Sequence, residues 1–369
     1  QGPGQGSTNL VVGLGTGITP ENLAVFAGSL RGVNPRAALV LYLDAPLPKT
    51  HQEIVARYNI TAIEFSVELL VPSFLRAYHP SNYRWPLLYR YVKEHADSYA
   101  KIVLADVRDT MFQGDPFASF EKGFFTFKGV ETRTIGECGW NGGWVKDCWG
   151  QQMLAQLTKK PIICSGISMG TSEEALFYLQ QMSESMETEA FAKCERNGVD
   201  QGVHNVLVHT ERLPGLKVYD AANGWVANLQ GGKGKIERNV VYNDNGDRVT
   251  VVHQYDRFRN LQESYFKRFV FWAMPSEKEL CGQAGFTVEQ NVELFKKTCD
   301  LKVTSGHSAG QCCVSCQRTK GCRAFSFAGS QCFLKSCTKI KKRIPDKGVV
   351  SGYLTPPSAE DGQSPSVLS

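Results

Sequence analysis

Ala100-Lys101-Ile102-Val103-Leu104-Ala105-Asp106-Val107-Arg108-Asp109 is the stretch that decides the fold. Ala100–Leu104 reads as a buried strand, and the strand ends at Asp106 with a second carboxylate three residues on. Working outward, residues 8–45 read strand, helix, strand. Leu10-Val11-Val12 is apolar, Thr19-Pro20-Glu21 opens a helix, and Ala37–Leu43 is a continuous apolar run. Ala62–Phe65 is a further short strand. Arg84–His95 reads as a helix with Leu87, Leu88, Tyr91 and Val92 on one face. Strands alternating with helices predict an α/β domain with a mostly parallel sheet. Ligands of such sheets sit beyond the carboxyl ends of the strands, where Asp106 and Asp109 stand.

Downstream, Gly139–Gly143 is expected to be a loop and Cys164–Gly170 a small-residue loop suited to close approach by a substrate. Ser172–Met182 is expected to be a helix capped by Ser172, with Glu173 and Glu174 in its first turn. Val249–Val252 reads as a strand ending at His253, and Leu261–Trp272 as a closing helix. Met274-Pro275-Ser276 marks the expected boundary of a first domain spanning 8–275. The tail, 355–369, is rich in Pro, Ser and Gly and is expected to be disordered. The first seven residues, QGPGQGS, read as a tag remnant or trimmed stem, and a membrane anchor in a longer protein is compatible with that reading.

Composition sets limits. The 369 residues carry 41 Lys and Arg against 36 Asp and Glu, a formal charge of +5, with 42% hydrophobic residues. That is globular composition and excludes disordered, collagen-like and coiled-coil chains. The basic excess is too mild to argue for nucleic acid. No apolar run reaches the length needed to cross a bilayer.

Cysteine placement is uneven. Cys138, Cys148, Cys164 and Cys194 precede residue 280, whereas Cys281, Cys299, Cys312, Cys313, Cys316, Cys322, Cys332 and Cys337 crowd the last 89 residues. Disulfides explain this density better than zinc, because there is no second C-x-x-C and the only nearby histidine is His307. Asn59-Ile60-Thr61 is an N-glycosylation sequon and points the same way, to a secretory or luminal compartment.

Several side chains gather chemistry around the acidic motif. Two carboxylates at a strand end can hold a divalent cation that neutralises a diphosphate; the alternative is a helix cap or an ion pair with Arg108. His253 is a third candidate ligand. Asp200 and Gln201 stand at another loop-to-helix junction, where Asp200 could simply cap the helix. Gly13-x-Gly15-x-Gly17 follows the first strand but does not meet the dinucleotide spacing G-x-G-x-x-G.

Taken in order, Tyr83-Arg84-Trp85-Pro86, Ile102–Asp109, Cys164-Ser165-Gly166, Asp200–Asn205 and Val252-His253-Gln254 resemble the signature series of nucleotide-sugar glycosyltransferases of the GT-A fold. The likeness is to the glycogenin-like retaining group and its algal and plant relatives. It covers about residues 8–275. The resemblance implies a Rossmann-like sheet with flanking helices, a UDP-sugar donor, and Mn²⁺ (or Mg²⁺) held by Asp106, Asp109 and His253. It implies donor contacts from Gly15, Thr16, Arg84, Asp106, Ser165, Gly166 and Arg257, with Arg259 a further candidate for the diphosphate. It places Asp200, Gln201 and Asp256 on the catalytic side. The family's motif is usually Asp-x-Asp, whereas this chain has Asp-x-x-Asp, which leaves open which carboxylate touches the metal. The implied reaction moves a sugar to a hydroxyl of a glycan or glycoprotein in the Golgi or ER lumen.

Cys281–Leu354 resembles a PAN/apple module, a small α+β fold. Gln311–Gln317 is its expected helix, with Gly321–Phe327 and Cys332–Ser336 its strands. Cys312 and Cys316 share a helix face, and Phe325 and Phe327 share a strand face. The cysteines beyond a minimal two-bridge module suggest a bridge closing the ends. Such modules bind proteins or glycans, so acceptor recruitment is one role and a structural appendage another. The basic run Lys339, Lys341, Lys342 and Arg343 is either a contact for acidic glycans or a solvated edge. Two other classes remain open: a non-catalytic binding protein on a degenerate transferase scaffold, and a nucleotide-sugar hydrolase.

Overall fold

In the computed structural model, β1 (Thr8–Leu14), β2 (Ala38–Asp44), β3 (Thr61–Phe65) and β4 (Tyr99–Ala105) are followed by β5 (Thr110–Phe112), β6 (Phe124–Lys128), β7 (Ile163–Thr171) and β8 (Leu216–Tyr219). Then come β9 (Val226–Asn228), β10 (Lys235–Glu237), β11 (Val240–Tyr242) and β12 (Val251–His253). The structure describes residues 8–129, 133–213, 215–270, 281–282, 285–294, 299–305, 308–328, 331–337 and 343–354. The chain divides into two compact units, Gln1–Ala273 and Met274–Ser369.

The main sheet of the first unit has the order β3-β2-β1-β4-β7-β6-β8. Only β7 runs against its neighbours; every other pairing is parallel. The mostly parallel sheet expected from the alternation is therefore present. Its central strands are buried on both faces, which is why β1 and β4 read as apolar runs rather than alternating ones.

Helices α1 (Pro20–Val33), α2 (Lys49–Arg57), α3 (Pro80–His95), α4 (Gly139–Leu157), α5 (Ser172–Met186), α6 (Glu189–Cys194), α7 (Val199–His209) and α8 (Arg259–Phe269) complete the unit. Thr19 caps α1 through the Asn22 amide, with Pro20 at the first helical position. Helix α3 begins four residues before Arg84, because the His79 ring accepts the Ser81 amide and Pro80 follows it.

Three expectations change. Gly139–Gly143 is not a loop but the start of α4, which kinks at Gly150 (φ 81°). Glycine disfavours helix by about 1 kcal/mol per residue, but a Cys148–Cys194 disulfide ties α4 to α6 and Trp144 packs against α7. Cys164–Gly170 is not a loop either; it is the body of β7, buried between β4 and β6. Its small residues let neighbouring chains close in: a Cβ at Gly170 would lie 2.9 Å from Gly123 O and from the Phe124 ring. Ser172 does not cap α5, since its hydroxyl donates to Ala96 O at 2.9 Å. The closing helix runs Arg259–Phe269, while Ala273 and its neighbours 271–272 lie outside the described residues.

Beneath the sheet, His204 on α7 is fully buried and its Nδ1 meets the Tyr178 hydroxyl at 2.8 Å. Burial, with help from His209 and Arg84, lowers its pKa from 6.5 to about 3. The folded value lies below the unfolded one. Its contribution is therefore complete above pH 6.5 and lost as pH falls toward about 3, where the unfolded chain binds the proton first. Wild-type melting temperature should fall across that window more steeply than that of His204→Leu. Parallel pH curves for the two proteins would overturn this.

By itself, the second unit is, among its described residues, an antiparallel sheet covered by a ten-residue helix. Strands β13 (Phe286–Leu294), β14 (Asp300–Ser305), β15 (Ala324–Ala328), β16 (Gln331–Lys335) and β17 (Arg343–Leu354) lie in the order β13-β17-β15-β16-β14. Helix α9 (Ala309–Arg318), capped by Ser308, carries three of the cysteines. Cys281–Cys313, Cys299–Cys337, Cys312–Cys332 and Cys316–Cys322 are bridged, so all eight cysteines are disulfides and the zinc alternative falls. Cys312 and Cys316 do share a face, and Phe325 joins Phe286 and Leu334 in the core, with Phe327 packed against it. No bridge closes the ends. Cys281 bonds the helix, and the ends are joined by β13–β17 pairing from Phe286↔Leu354 inward. So small a core needs such staples.

Five disulfides place the chain in an oxidising, secreted or lumenal environment. The sequon residue Asn59 is exposed after α2. No helix among the described residues is long and apolar enough to cross a membrane. His307, the basic residues Lys339, Lys341 and Lys342, the side chain of Arg343, residues 1–7 and the tail from 355 lie outside the described residues.

Candidate functional site

Strand registers assemble the site. The β4–β7 ladder ends with the Asp106 amide donating to Gly166 O at 2.8 Å, which sets Gly166 opposite Asp106. A three-stranded sheet, β5-β12-β9, brings up the rest. Its antiparallel β5–β12 pairing puts His253 opposite Thr110, beside Asp109, and the Gln254 amide donates back to Asp109 O at 2.8 Å. Its parallel β9–β12 pairing puts Asn228 opposite His253.

Asp106, Asp109 and His253 thereby converge, each offering one ligand atom within 4.8 Å of the others. His253 Nε2 lies 3.4 Å from Asp106 Oδ2 and 3.5 Å from Asp109 Oδ1. Two ligands at right angles around an ion with bonds of ~2.1 Å would be ~3 Å apart, so small shifts would close the shell. Nε2 is buried without hydrogen-bond geometry to any partner among the described residues, the orphan expected of a metal ligand. Both carboxylates reach it, so the Asp-x-x-Asp spacing does not remove a ligand.

Asn228 fixes the tautomer. Its amide nitrogen donates to Phe127 O and Lys128 O, which leaves Oδ1 to accept from His253 Nδ1 at 2.8 Å. Nε2 is then the ring nitrogen that meets the carboxylates. Burial works to lower the His253 pKa, but Cys164 and Asp109 outweigh it and raise it to about 10. The hole thus favours a positive charge, either a proton on Nε2 or an ion in its place. Cys164 Sγ sits 3.6 Å from Nδ1. Asn228→Ala should weaken Mn²⁺ binding about 10–100-fold with the fold intact; titration of Mn²⁺ by calorimetry checks it, and an unchanged affinity would remove Asn228 from the site.

Gly166 lets the ring in. A Cβ there would lie 2.1 Å from His253 Cε1, 2.5 Å from Nε2 and 2.9 Å from Asp106 Oδ2. Gly166, the residue expected to contact a donor, is the one that makes space for the His253 ring and the Asp106 carboxylate.

Above the cluster opens a cleft of about 560 Å³. Thr16, Arg84, Asp106, Asp109, Ser165, Asp200, Gln201 and Arg257 line it, as does Trp144. Arg84, Arg108 and Arg257 balance Asp106, Asp109 and Asp200, so a divalent ion would leave two positive charges in it. Arg84 is the hub: its guanidinium pairs with Asp106 and, at 2.8 Å, with Asp200, and it stacks over Trp85. Ser165 Oγ donates to the same Asp200 oxygen at 3.2 Å. Asp200 therefore does not cap α7 with its side chain; Gly198, at φ 83°, occupies the cap position.

Other expected residues fall elsewhere. Gly15 does not line the cleft; its amide donates to Tyr42 O at 2.8 Å, and a Cβ would strike Leu43. Gly17 likewise donates to Asp44, so this glycine run presents neither amide to a phosphate. Asp256 sits behind the lining, 4.0 Å from Arg108 and 3.8 Å from Arg257, where it restrains both. Arg259 points away and pairs with Glu263 at 2.9 Å. Asn228 and Trp144 were not singled out by sequence. Asn228 carries no local signal, because its partner is 25 residues away; Trp144 lay in a segment that reads as loop.

The chain matches no known family model and no curated protein.

Proposed function

We propose that the first unit is a metal-dependent glycosyltransferase of the GT-A type, moving a sugar from a UDP-sugar to a hydroxyl of a glycan or glycoprotein, and that the second unit is a PAN/apple module. The observation that carries the reading is the convergence of Asp106, Asp109 and His253 at the carboxyl end of the parallel sheet, under a cleft whose formal charges cancel until a cation enters. Asp106, Asp109 and His253 would hold Mn²⁺ or Mg²⁺, which when bound supplies positive charge opposite the diphosphate.

The chain's own groups do the remainder. Arg257 and Arg108, half exposed at the rim and held by Asp256, face the leaving diphosphate and stabilise the charge it gains. Arg84 and Ser165 hold Asp200 by one oxygen, Oδ2. Its Oδ1 has no hydrogen bond among the described residues and is the oxygen available to an oxocarbenium-like sugar. Gln201 gives its Nε2 to Asn141 at 3.0 Å, which leaves its carbonyl oxygen for the same side. The bond from the anomeric carbon to phosphate oxygen breaks, the bond to the acceptor oxygen forms, and the hydroxyl proton leaves with UDP. Retention of configuration rests on the resemblance, as does a Golgi or ER location.

UDP release from a panel of UDP-sugars, with Mn²⁺ and with EDTA, tests the reading. Slow hydrolysis of one donor, abolished by EDTA, is the expected result and names the sugar. No turnover together with no calorimetric UDP binding in Mn²⁺ would sink it in favour of a non-catalytic binding protein.

A further inference from the structure

We propose that Trp140 and Trp144, on the first turns of α4, form the acceptor platform of this cleft and take the apolar face of a neutral pyranose. The inference rests on the glycosyl-transfer reading above. Trp140 is 72% exposed, a large apolar surface for which solvent gives no reason. Its ring centroid is 6.2 Å from that of Trp144, with the planes inclined at 40°. Trp144 in turn lines the cleft. The pair thus runs from the cleft wall to open solvent, as a surface for a chain that enters from outside must.

The platform is rigid. Trp144 rests on Gly198, at the cap of α7, and on Gly202 within it: a Cβ at Gly198 would lie 2.7 Å from its Cζ2, and one at Gly202 2.9 Å from its Cβ. Helix α4 is tied to α6 by Cys148–Cys194, and Asp147 of α4 pairs with Arg196 at 2.7 Å. An aromatic plate held in place loses little freedom on binding, which favours stacking against the C–H face of a sugar ring.

Polar groups beside the plate suit hydroxyls. Asn141, between the two tryptophans in sequence, donates to Cys138 Sγ and accepts from Gln201 Nε2. Gln201 Oε1 is left for a hydroxyl, and Gln201 adjoins Asp200 in sequence, so a sugar stacked on Trp144 meets the reactive side of the cleft. Arg196, whose guanidinium would lie 3.8 Å from a Cβ at Gly143 between the two tryptophans, is engaged by Asp147, which argues for a neutral rather than an acidic saccharide.

The probes are cello-, xylo-, manno- and galacto-tetraose, with tetragalacturonate as the acidic counterpart, followed by tryptophan fluorescence and calorimetry. Wild-type protein should bind at least one neutral tetraose. Trp140→Ala should weaken that binding about tenfold, as loss of one aromatic stacking contact does, and Trp140→Phe should retain most of it. UDP binding in Mn²⁺ should be equal in all three. Equal tetraose binding by Trp140→Ala, no tetraose binding by wild type, or preference for tetragalacturonate would overturn the proposal while UDP binding persists. Loss of UDP binding in wild type would instead strike at the transfer reading.

Discussion

Asp109→Asn should reduce Mn²⁺-dependent UDP binding by at least ~100-fold, more than loss of a group behind the ligands would, while the protein stays folded. Asp109 is only 5% exposed. Burial pushes its pKa up, but His253, Arg108 and Arg257 prevail and hold it below the ordinary carboxylate value. It is therefore an anion placed where only cations can match it. Asparagine keeps the shape and hydrogen-bonding size but removes the charge, so the fold has no cavity to fill. Calorimetry of UDP in Mn²⁺ and in EDTA reads the effect. If the variant binds UDP with unchanged Mn²⁺ dependence, Asp109 is not a ligand.

Gly166→Ala should abolish Mn²⁺ binding as completely, although it removes no ligand. The added methyl would overlap His253 at 2.1 Å, far inside any real contact. The ring cannot retreat, because it is fully buried and anchored on Asn228 at 2.8 Å. Overpacking of this kind costs about 1–3 kcal/mol, so the melting temperature should fall too. Gly32→Ala, on α1 with nothing within 4 Å of the new Cβ, is the control. It should be neutral or stabilising, as alanine favours helix. Full Mn²⁺ affinity in Gly166→Ala would mean that His253 Nε2 does not face the ion.

These two variants separate what could be read from sequence. Asp109 is visible as a carboxylate beyond an apolar strand, a pattern with a period and an end. Gly166 is visible only as a small residue; its meaning lies in the approach of β12, which arrives 87 residues later in the chain. Asn228 is less visible still, since a three-residue strand leaves no periodicity. The loop expected at Gly139–Gly143 shows the same limit from the other side: glycine's weak helix propensity lost to a disulfide and to packing against α7.

By itself the sequence determined the alternation of strands and helices, the mostly parallel sheet, the acidic pair at a strand end and the disulfide-rich second unit. These follow from local burial and composition, which act over a few residues. Only the tertiary structure decided that, within the main sheet, β7 alone runs antiparallel and that Gly15 and Gly17 engage the chain's own acceptors. It also decided that Arg84 joins Asp106 to Asp200 and that the second unit closes its ends by strand pairing. Each of these depends on register between segments far apart in the chain, and register is set by the packing of whole faces rather than by any one stretch.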